Sequence, residues 1–447
     1  MDKRYFIYTM GCQMNERDSE TLAGLLEAAG YARAEGPGEA AVILLNTCAV
    51  REKPEHKVFS LLGEMAQYQR RQGALLGVCG CVAQTCAAEI RQRAPQVDFL
   101  LGPRNYADLP KLLEELARDR RQPAEALVWD RTIEEGLPVA RESAVSASVN
   151  IAHGCDNYCA YCIVPYARGP LQSREPEPVL EEVRSLLDSG YRQILLLGQN
   201  VNAYGQDLAS GIDFPELLYK VDQLCTAGQR VRFTTSHPKD VPERLLEAMR
   251  DLPSVCEWLH LPLQAGDNEV LARMGRGYTV EQYLDIVGQA RERMPGLGLS
   301  TDVMVGFPGE TEAQFENTHR LLERIEFDQA FTFKFSPRPG TAAETLPEQV
   351  PEAAKQERLQ RLAALVAERA REVNRRQVGE VVEVLVEEAD PRSAGHVRGR
   401  SRANKLMIFP GDLELVGQTL PVRAEEAYLW GFRGSRESGG AEHQARE

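Results

Sequence analysis

From the first residues to about residue 335, short apolar runs alternate with amphipathic helical patterns, and this alternation limits the chain to a narrow set of folds. In the first part RYFIYTM leads to SETLAGLLEAAGY, AAVILLNTC to a helix through HKVFSLLGEMAQYQRR, and ALLGVCGC to TCAAEIRQRAP. Strands that read as continuous apolar runs, separated by helices, are buried on both faces, which predicts an α/β N-terminal domain with a doubly wound parallel sheet over 1–118. Residues 119–146 have weak periodicity and mixed polar content, the pattern of a linker.

The alternation resumes at SASVNIAHG. Six strand candidates follow: 147–153, QILLLGQN, RVRFTTS, CEWLHLPLQ, LGLSTDVMVGF and QAFTFKF. Six βα units in sequence predict an incomplete (β/α)6 barrel over 147–372, with its chemistry at the C-terminal ends of the strands. A long charged helix at about 350–375 then leads into short alternating strands, a small all-β barrel over 373–436. The tail, 437–447, reads as disordered.

Within this frame HGCDNYCAYC, residues 153–162, follows the first strand of the barrel and sets Cys155, Cys159 and Cys162 at CxxxCxxC spacing. Short gaps close chelate loops at low entropic cost, so three thiolates can converge on one metal centre. Two centres fit. An iron-sulfur cube held by three cysteines keeps one iron open to substrate. A structural zinc takes four ligands, with His153 the local candidate for the fourth.

Three more cysteines, Cys12, Cys48 and Cys81, each lie just past an apolar strand, and neighbouring parallel strands end side by side. They are candidates for a second three-thiolate site. Cys79 competes with Cys81, but strand alternation buries Cys79 in the sheet and leaves Cys81 in the loop beyond the glycine. Cys86, Cys225 and Cys256 read as small core hydrophobes.

The chain has 447 residues, 43% of them apolar, and a net charge of -14. Such a charge excludes a whole-surface polyanion binder, so any nucleic-acid contact rests on a local basic patch. The N-terminus carries no secretory pattern, and no run approaches the roughly 18–20 apolar residues of a membrane span. A cytoplasmic protein follows, and in that compartment ten cysteines point to metal or redox chemistry before disulfides.

CxxxCxxC on the first loop of a parallel barrel, with Tyr161 before the last cysteine, resembles the radical S-adenosylmethionine enzymes. The resemblance implies that Cys155, Cys159 and Cys162 hold a [4Fe-4S] cluster whose open iron binds S-adenosylmethionine, and that one electron then releases a 5′-deoxyadenosyl radical. It also places Gly198 and Gln199 at the methionyl amino group and Ser236 at ribose or carboxylate. The bland alternative for Gln199 and Ser236 is an ordinary hydrogen bond at a strand end.

Two cysteine sites followed by a small β-barrel resemble the methylthiotransferases, over the chain to about residue 436. That family inserts a methylthio group into an unactivated C–H bond, with sulfur delivered at a second, auxiliary [4Fe-4S] cluster, here on Cys12, Cys48 and Cys81. YCIVPYARG, HLPLQAGDNEVLARMGRGYT, DVMVGFPGETEAQF, FSPRPGTAA and GRSRANKLMIF are similar to the branch that makes 2-methylthio-N6-isopentenyladenosine in tRNA. The branch acting on a ribosomal-protein aspartate lacks the Arg-Pro-Gly-Thr of 338–341 and the Asn-Lys of 404–405. After Arg168-Gly169 the family continues Arg-Glu, whereas this chain has Pro170-Leu171.

The implied reaction suits its substrate. C2 of adenine carries a strong, non-acidic C–H bond, so a carbon radical serves where a general base does not, and the hard chemistry belongs to the cofactors. By the same resemblance, S-adenosylmethionine is expected to be both radical source and methyl donor. A one-electron reductant is required, and the expected state is a monomer.

Arg276 and Lys334 are candidates either for contacts to the polyanionic substrate or a cofactor carboxylate, or for a solvated face. The run His396 to Lys405 carries Arg398, Arg400, Arg402 and Lys405 without a carboxylate, beside Phe409. Basic residues interleaved with aromatics on a small barrel hold a nucleic-acid backbone and stack an unpaired base. The implied partner is the anticodon stem-loop, presenting adenosine 37. Three other readings compete: the branch acting on N6-threonylcarbamoyladenosine, a non-catalytic iron-sulfur RNA sensor, and a colourless zinc RNA-binding module.

Overall fold

The computed structural model describes residues 3–49, 52–120, 123–128 and 132–437, so the expected disordered tail lies almost wholly outside the described residues. The N-terminal sheet has six parallel strands: β1 (Arg4–Met10), β2 (Ala32–Arg33), β3 (Val42–Thr47), β4 (Leu75–Gly80), β5 (Phe99–Leu101) and β6 (Ala124–Ala126). Their order is β2-β1-β3-β4-β5-β6. Side chains alternate between faces, and both faces are covered. Ile43, Leu45, Leu76 and Val78 pack with Val58, Leu62 and Met65, whereas Val42, Leu44, Phe99 and Cys79 pack with Leu22, Leu109 and Leu112.

The described residues of the expected linker are more ordered than their composition indicates. They contribute β6 to the sheet edge, where three short residues carry too little pattern to be read. Further on, Ala140 donates its N–H to Glu20, and Arg141 pairs with both Glu20 and Glu182.

The central domain holds β7 (Ser146–Asn150), a short pair β8 (Ala152–His153) and β9 (Gln172–Ser173), then β10 (Gln193–Leu197), β11 (Arg230–Thr234), β12 (Trp258–His260), β13 (Gly298–Val305) and β14 (Gln329–Lys334). The long strands form two parallel trios, β11-β10-β7 and β12-β13-β14, which adjoin through a Val231–Val255 bridge. This is the expected six-unit open barrel. Side-chain caps at Asp213, Asp267, Thr279 and Thr311 start four of its helices and satisfy their free N–H groups.

Helix Glu352–Arg376 leads to a closed barrel of β15 (Val381–Ala389), β16 (His396–Ser401), β17 (Leu406–Pro410), β18 (Thr419–Tyr428) and β19 (Gly431–Arg436). It docks against the N-terminal ends of the central strands. Arg230 and Arg232, at the start of β11, donate to the carbonyls of Arg400, Arg402 and Ser401. Gly298, the first residue of β13, lies so close to Ala403 that a Cβ there would sit 2.2 Å from its carbonyl oxygen. Among the described residues no helix is long and apolar enough to cross a membrane.

Candidate functional site

The barrel loop places Cys155, Cys159 and Cys162 by main-chain bonds. Cys155 N–H donates to Gly169, Ala160 N–H to Met274 and Cys162 N–H to Cys159. Gly154, at φ +72°, permits the turn, because a Cβ there would sit 1.9 Å from the Pro170 carbonyl oxygen. Burial pushes the Cys155 thiol up and, with the neighbouring Cys159, the Cys162 thiol to about 12. The buried Arg276 guanidinium compensates, its Nη1 lying 3.4 Å from Cys159 Sγ while its Nη2 donates to the Pro262 carbonyl. A metal ion that displaces the thiol protons removes the same penalty.

Beside this loop, at the strand ends, the barrel buries polar atoms that have no partner: Asn150 Oδ1, Gln199 Oε1, Ser236 Oγ and His237 Nε2. An unpaired buried polar group costs about 1–3 kcal/mol, so such a cluster at the strand ends is a candidate cradle for a polar ligand. His237 is neutral, held down to about 2 by burial and by Arg276 and Lys239. Its Nδ1 accepts the Lys239 N–H, so the ring proton sits on Nε2. Tyr161 is half-buried against the core, and Gly198 continues the strand pairing through its bonds with Thr234 and Thr235.

The second triad comes from three adjacent strands. β1, β3 and β4 pair with Met10 opposite Thr47 and Thr47 opposite Gly80, so the chain delivers Cys12, Cys48 and Cys81 to one sheet edge. Gly11 permits the approach: a Cβ there would lie 2.7 Å from Cys48 Cβ. A hydrogen bond with Cys48 lowers the Cys12 thiol to about 6, and Arg168 and the N–H groups opening helix Gln13–Ala28 assist. Burial pushes Cys81 up while Arg168 opposes it. Cys79 is fully buried on the other face of the sheet.

Arg168 ties the segment that follows the barrel loop to the N-terminal domain. It lies six residues past Cys162, is buried, and donates from Nη2 to Asp18 at 2.5 Å, while its Nη1 has no partner. Arg104 clasps the same segment, donating to the carbonyls of Arg168 and Pro170 and to Gln172. Pro170-Leu171 therefore occupies the junction between domains, where Leu171 N–H also bonds Asp156. Both triads are sets of soft thiolates, three per site, and fit iron-sulfur clusters. Among the described residues no three His, Cys, Asp or Glu side chains converge as ligands of a single ion require. Ligands of a cube each take a different iron and stand further apart.

The basic run is placed differently from the expectation. Arg402 pairs with Glu257 at 2.7 Å and donates to the carbonyls of Pro253 and Val255, and buried Lys405 pairs with Asp328 at 2.6 Å and with Asn374. Both are held in the seam between domains, Lys405 buried and Arg402 still 27% exposed, and Phe409 is fully buried in the small barrel, where it cannot stack on a base. Arg398 and Arg400 stay partly exposed beside Glu388 and Glu387. The barrel's exposed aromatics are Tyr428 and Trp430, with Arg433 5.8 Å from the Tyr428 ring. Lys334 pairs with Glu352. Sequence reasoning missed Asn150, His237 and Arg168. The first two share a signal with Gln199 and Ser236: each is a polar residue ending an apolar strand run.

Comparison with known proteins agrees with this architecture. Residues 149–322 match the radical SAM superfamily, 4–102 the uncharacterized protein family UPF0004, and 375–435 the TRAM domain. Among solved structures, the radical S-adenosylmethionine methyltransferase TsrM from Kitasatospora setae superposes with a TM-score of 0.56 at 14% identity, covering 77% of this chain and 74% of that one. The cobalamin-dependent radical enzyme OxsB gives 0.51 at 12% identity, covering 81% and 56%. These likenesses concern the fold. A tRNA-2-methylthio-N(6)-dimethylallyladenosine synthase of Moorella thermoacetica is 46% identical over 440 residues, 98% of this chain and 99% of its own. One of Desulforamulus reducens is 45% identical over 424 residues, 94% and 92%. With both cysteine triads on three-domain architecture and relatives this similar over nearly the whole length, the chain belongs to the tRNA-2-methylthio-N(6)-dimethylallyladenosine synthase family of radical SAM enzymes.

Proposed function

We propose that the chain replaces the C2 hydrogen of N6-isopentenyladenosine 37 in tRNA with a methylthio group. The observation that carries this reading is the presence of two separate thiol triads, one in the barrel loop and one at the sheet edge. Cys155, Cys159 and Cys162 would hold one [4Fe-4S] cluster and Cys12, Cys48 and Cys81 the other. When bound, these clusters and S-adenosylmethionine supply the one-electron chemistry that breaks a strong C–H bond, together with the sulfur and methyl that replace it.

The chain's own residues bind and orient. Gln199, Ser236 and Asn150 offer oxygen acceptors at the barrel mouth, and His237 offers an N–H donor beside them. Arg276 balances thiolate charge at Cys159, and Arg168 does so at Cys81 and Cys12. No residue is required to take a proton from C2, because that hydrogen is not acidic. The small barrel holds the anticodon stem-loop through Arg398 and Arg400 and through the exposed Tyr428 and Trp430. The reaction draws its electron from an external one-electron reductant, and a cytoplasmic monomer suffices for it.

Mass spectrometry of tRNA nucleosides from a strain lacking this gene tests the reading. Isopentenyladenosine without its 2-methylthio group, restored by the gene, is the expected result. An unchanged 2-methylthio-isopentenyladenosine level, with loss of the modification on threonylcarbamoyladenosine, would overturn it.

A further inference from the structure

We propose that Phe331 and Phe333 of β14, with Met304 of β13, form the apolar wall that receives the N6 substituent of the substrate adenosine, and that Asp302 beside them turns away an anionic one. The inference rests on the reading that the substrate is a modified adenosine in an RNA loop, and it names what that site recognises.

Strand pairing fixes which way these side chains face. β13 and β14 run parallel with Asp302 opposite Phe331 and Met304 opposite Phe333, and residues opposite each other share a face of the sheet. The intervening set faces outward: Val303 and Val305 belong to the core, and Lys334, opposite Val305, reaches Glu352 on helix Glu352–Arg376. Asp302, Met304, Phe331 and Phe333 therefore face the inside of the open barrel. All four are half-buried, so three large apolar side chains keep surface there for a ligand. On the first trio the inner face is more polar, with Gln193 bonded to Arg232, and Thr234 beyond them.

The wall is also well placed. The strands run β7-β10-β11 and then β12-β13-β14, so β7 and β14 are the two lips of the barrel's opening. The cysteine loop follows β7, and the wall stands on the other lip. C2 and C6 of adenine flank N1, so a base that turns C2 toward the loop carries its N6 substituent away from it. Asp302 sets the preferred charge. Its side chain is 29% exposed, with His260 Nε2 3.6 Å away, and the His260 ring meets Phe331 edge-to-face at 6.3 Å. A threonylcarbamoyl substituent would bring a second carboxylate against Asp302, whereas isopentenyl brings only carbon to the rings.

The test uses the full chain carrying its clusters and anticodon stem-loops with isopentenyladenosine, adenosine or threonylcarbamoyladenosine at position 37, with affinity read by fluorescence anisotropy. The wild type should prefer isopentenyladenosine to adenosine by about 10- to 100-fold, the effect of burying a branched hydrocarbon. Phe331→Ala should cut that preference about tenfold and leave affinity for the adenosine stem-loop unchanged. Phe331→Tyr, which keeps the ring and puts a hydroxyl on the wall, should also cut it and keeps the test valid if the alanine variant misfolds. Asp302→Asn should strengthen binding of the threonylcarbamoyladenosine stem-loop and leave the isopentenyladenosine one unchanged. A wild-type preference that survives both Phe331 variants would overturn the proposal, as would variants that lose affinity for S-adenosylmethionine in place of the preference. Equal wild-type affinity for the isopentenyladenosine and adenosine stem-loops would overturn it too, and leave the functional reading standing. A wild-type protein that prefers none of the three stem-loops to a scrambled hairpin would instead overturn the functional reading, and the wall with it.

Discussion

The barrel loop draws its three cysteines from one stretch, 155–162, whereas the sheet edge draws its three from positions 12, 48 and 81. In the loop, main-chain bonds within 155–169, one bond from Ala160 to Met274 and a glycine fix the geometry. At the sheet edge the register of three strands fixes it, so the site exists only once the sheet has formed. Their electrostatics differ as well. Cys162 is pushed up to about 12 by burial, whereas Cys12 is drawn down to about 6 by its bond to Cys48 and by Arg168. One triad comes from a single short stretch of chain; the other is a product of the fold and of the domain contact through Arg168.

The largest way to break this contrast is at that contact. Arg168→Met leaves Asp18 buried without its partner and should cost about 3–5 kcal/mol in denaturant unfolding, while adding Asp18→Leu should recover most of the loss. Full stability in the single variant would remove the role of the domain contact. Next in size is the loop. Gly154→Ala forces a side chain into a left-handed turn against Pro170 and should cost about 1–3 kcal/mol, lowering iron at the barrel site and leaving the sheet site loaded.

Much of this was readable beforehand, for physical reasons. Local spacing exposed the loop triad, and the period of the apolar runs gave the parallel strands whose ends hold the other. Strand alternation placed Cys79 and Cys81 on opposite sides of the question, as the packing does. What escaped depends on contacts between distant residues. Arg168 meets Asp18 across 150 positions, and Arg402 meets Glu257 across 145, so a basic run that reads as an RNA face is partly a seam at Arg402 and Lys405. β6 escaped because an edge strand of three residues has no period to detect.

Thiol chemistry sharpens the electrostatic half of the contrast. In metal-free protein, Cys12 alkylation should rise about tenfold from pH 5 to pH 7, because the thiolate predominates above its pKa of about 6 and is lost below it. Cys162 should stay unreactive across that range. A Cys12 rate that climbs only above pH 8 would contradict the assignment. The smallest effect lies far from both triads. Arg398→Ala with Arg400→Ala should reduce the log-log salt slope of tRNA binding by about two. Arg402→Ala should leave that slope alone and instead loosen the small barrel from the central domain.

The division of labour between the two triads is tested most directly by iron content and product analysis of two triple variants. With Cys155, Cys159 and Cys162 changed to Ala, 5′-deoxyadenosine should vanish while roughly half the iron remains. With Cys12, Cys48 and Cys81 changed to Ala, roughly half the iron should again remain and 5′-deoxyadenosine should still form, but no 2-methylthio product. Methylthiolated tRNA from the second variant, or 5′-deoxyadenosine from the first, would contradict the account.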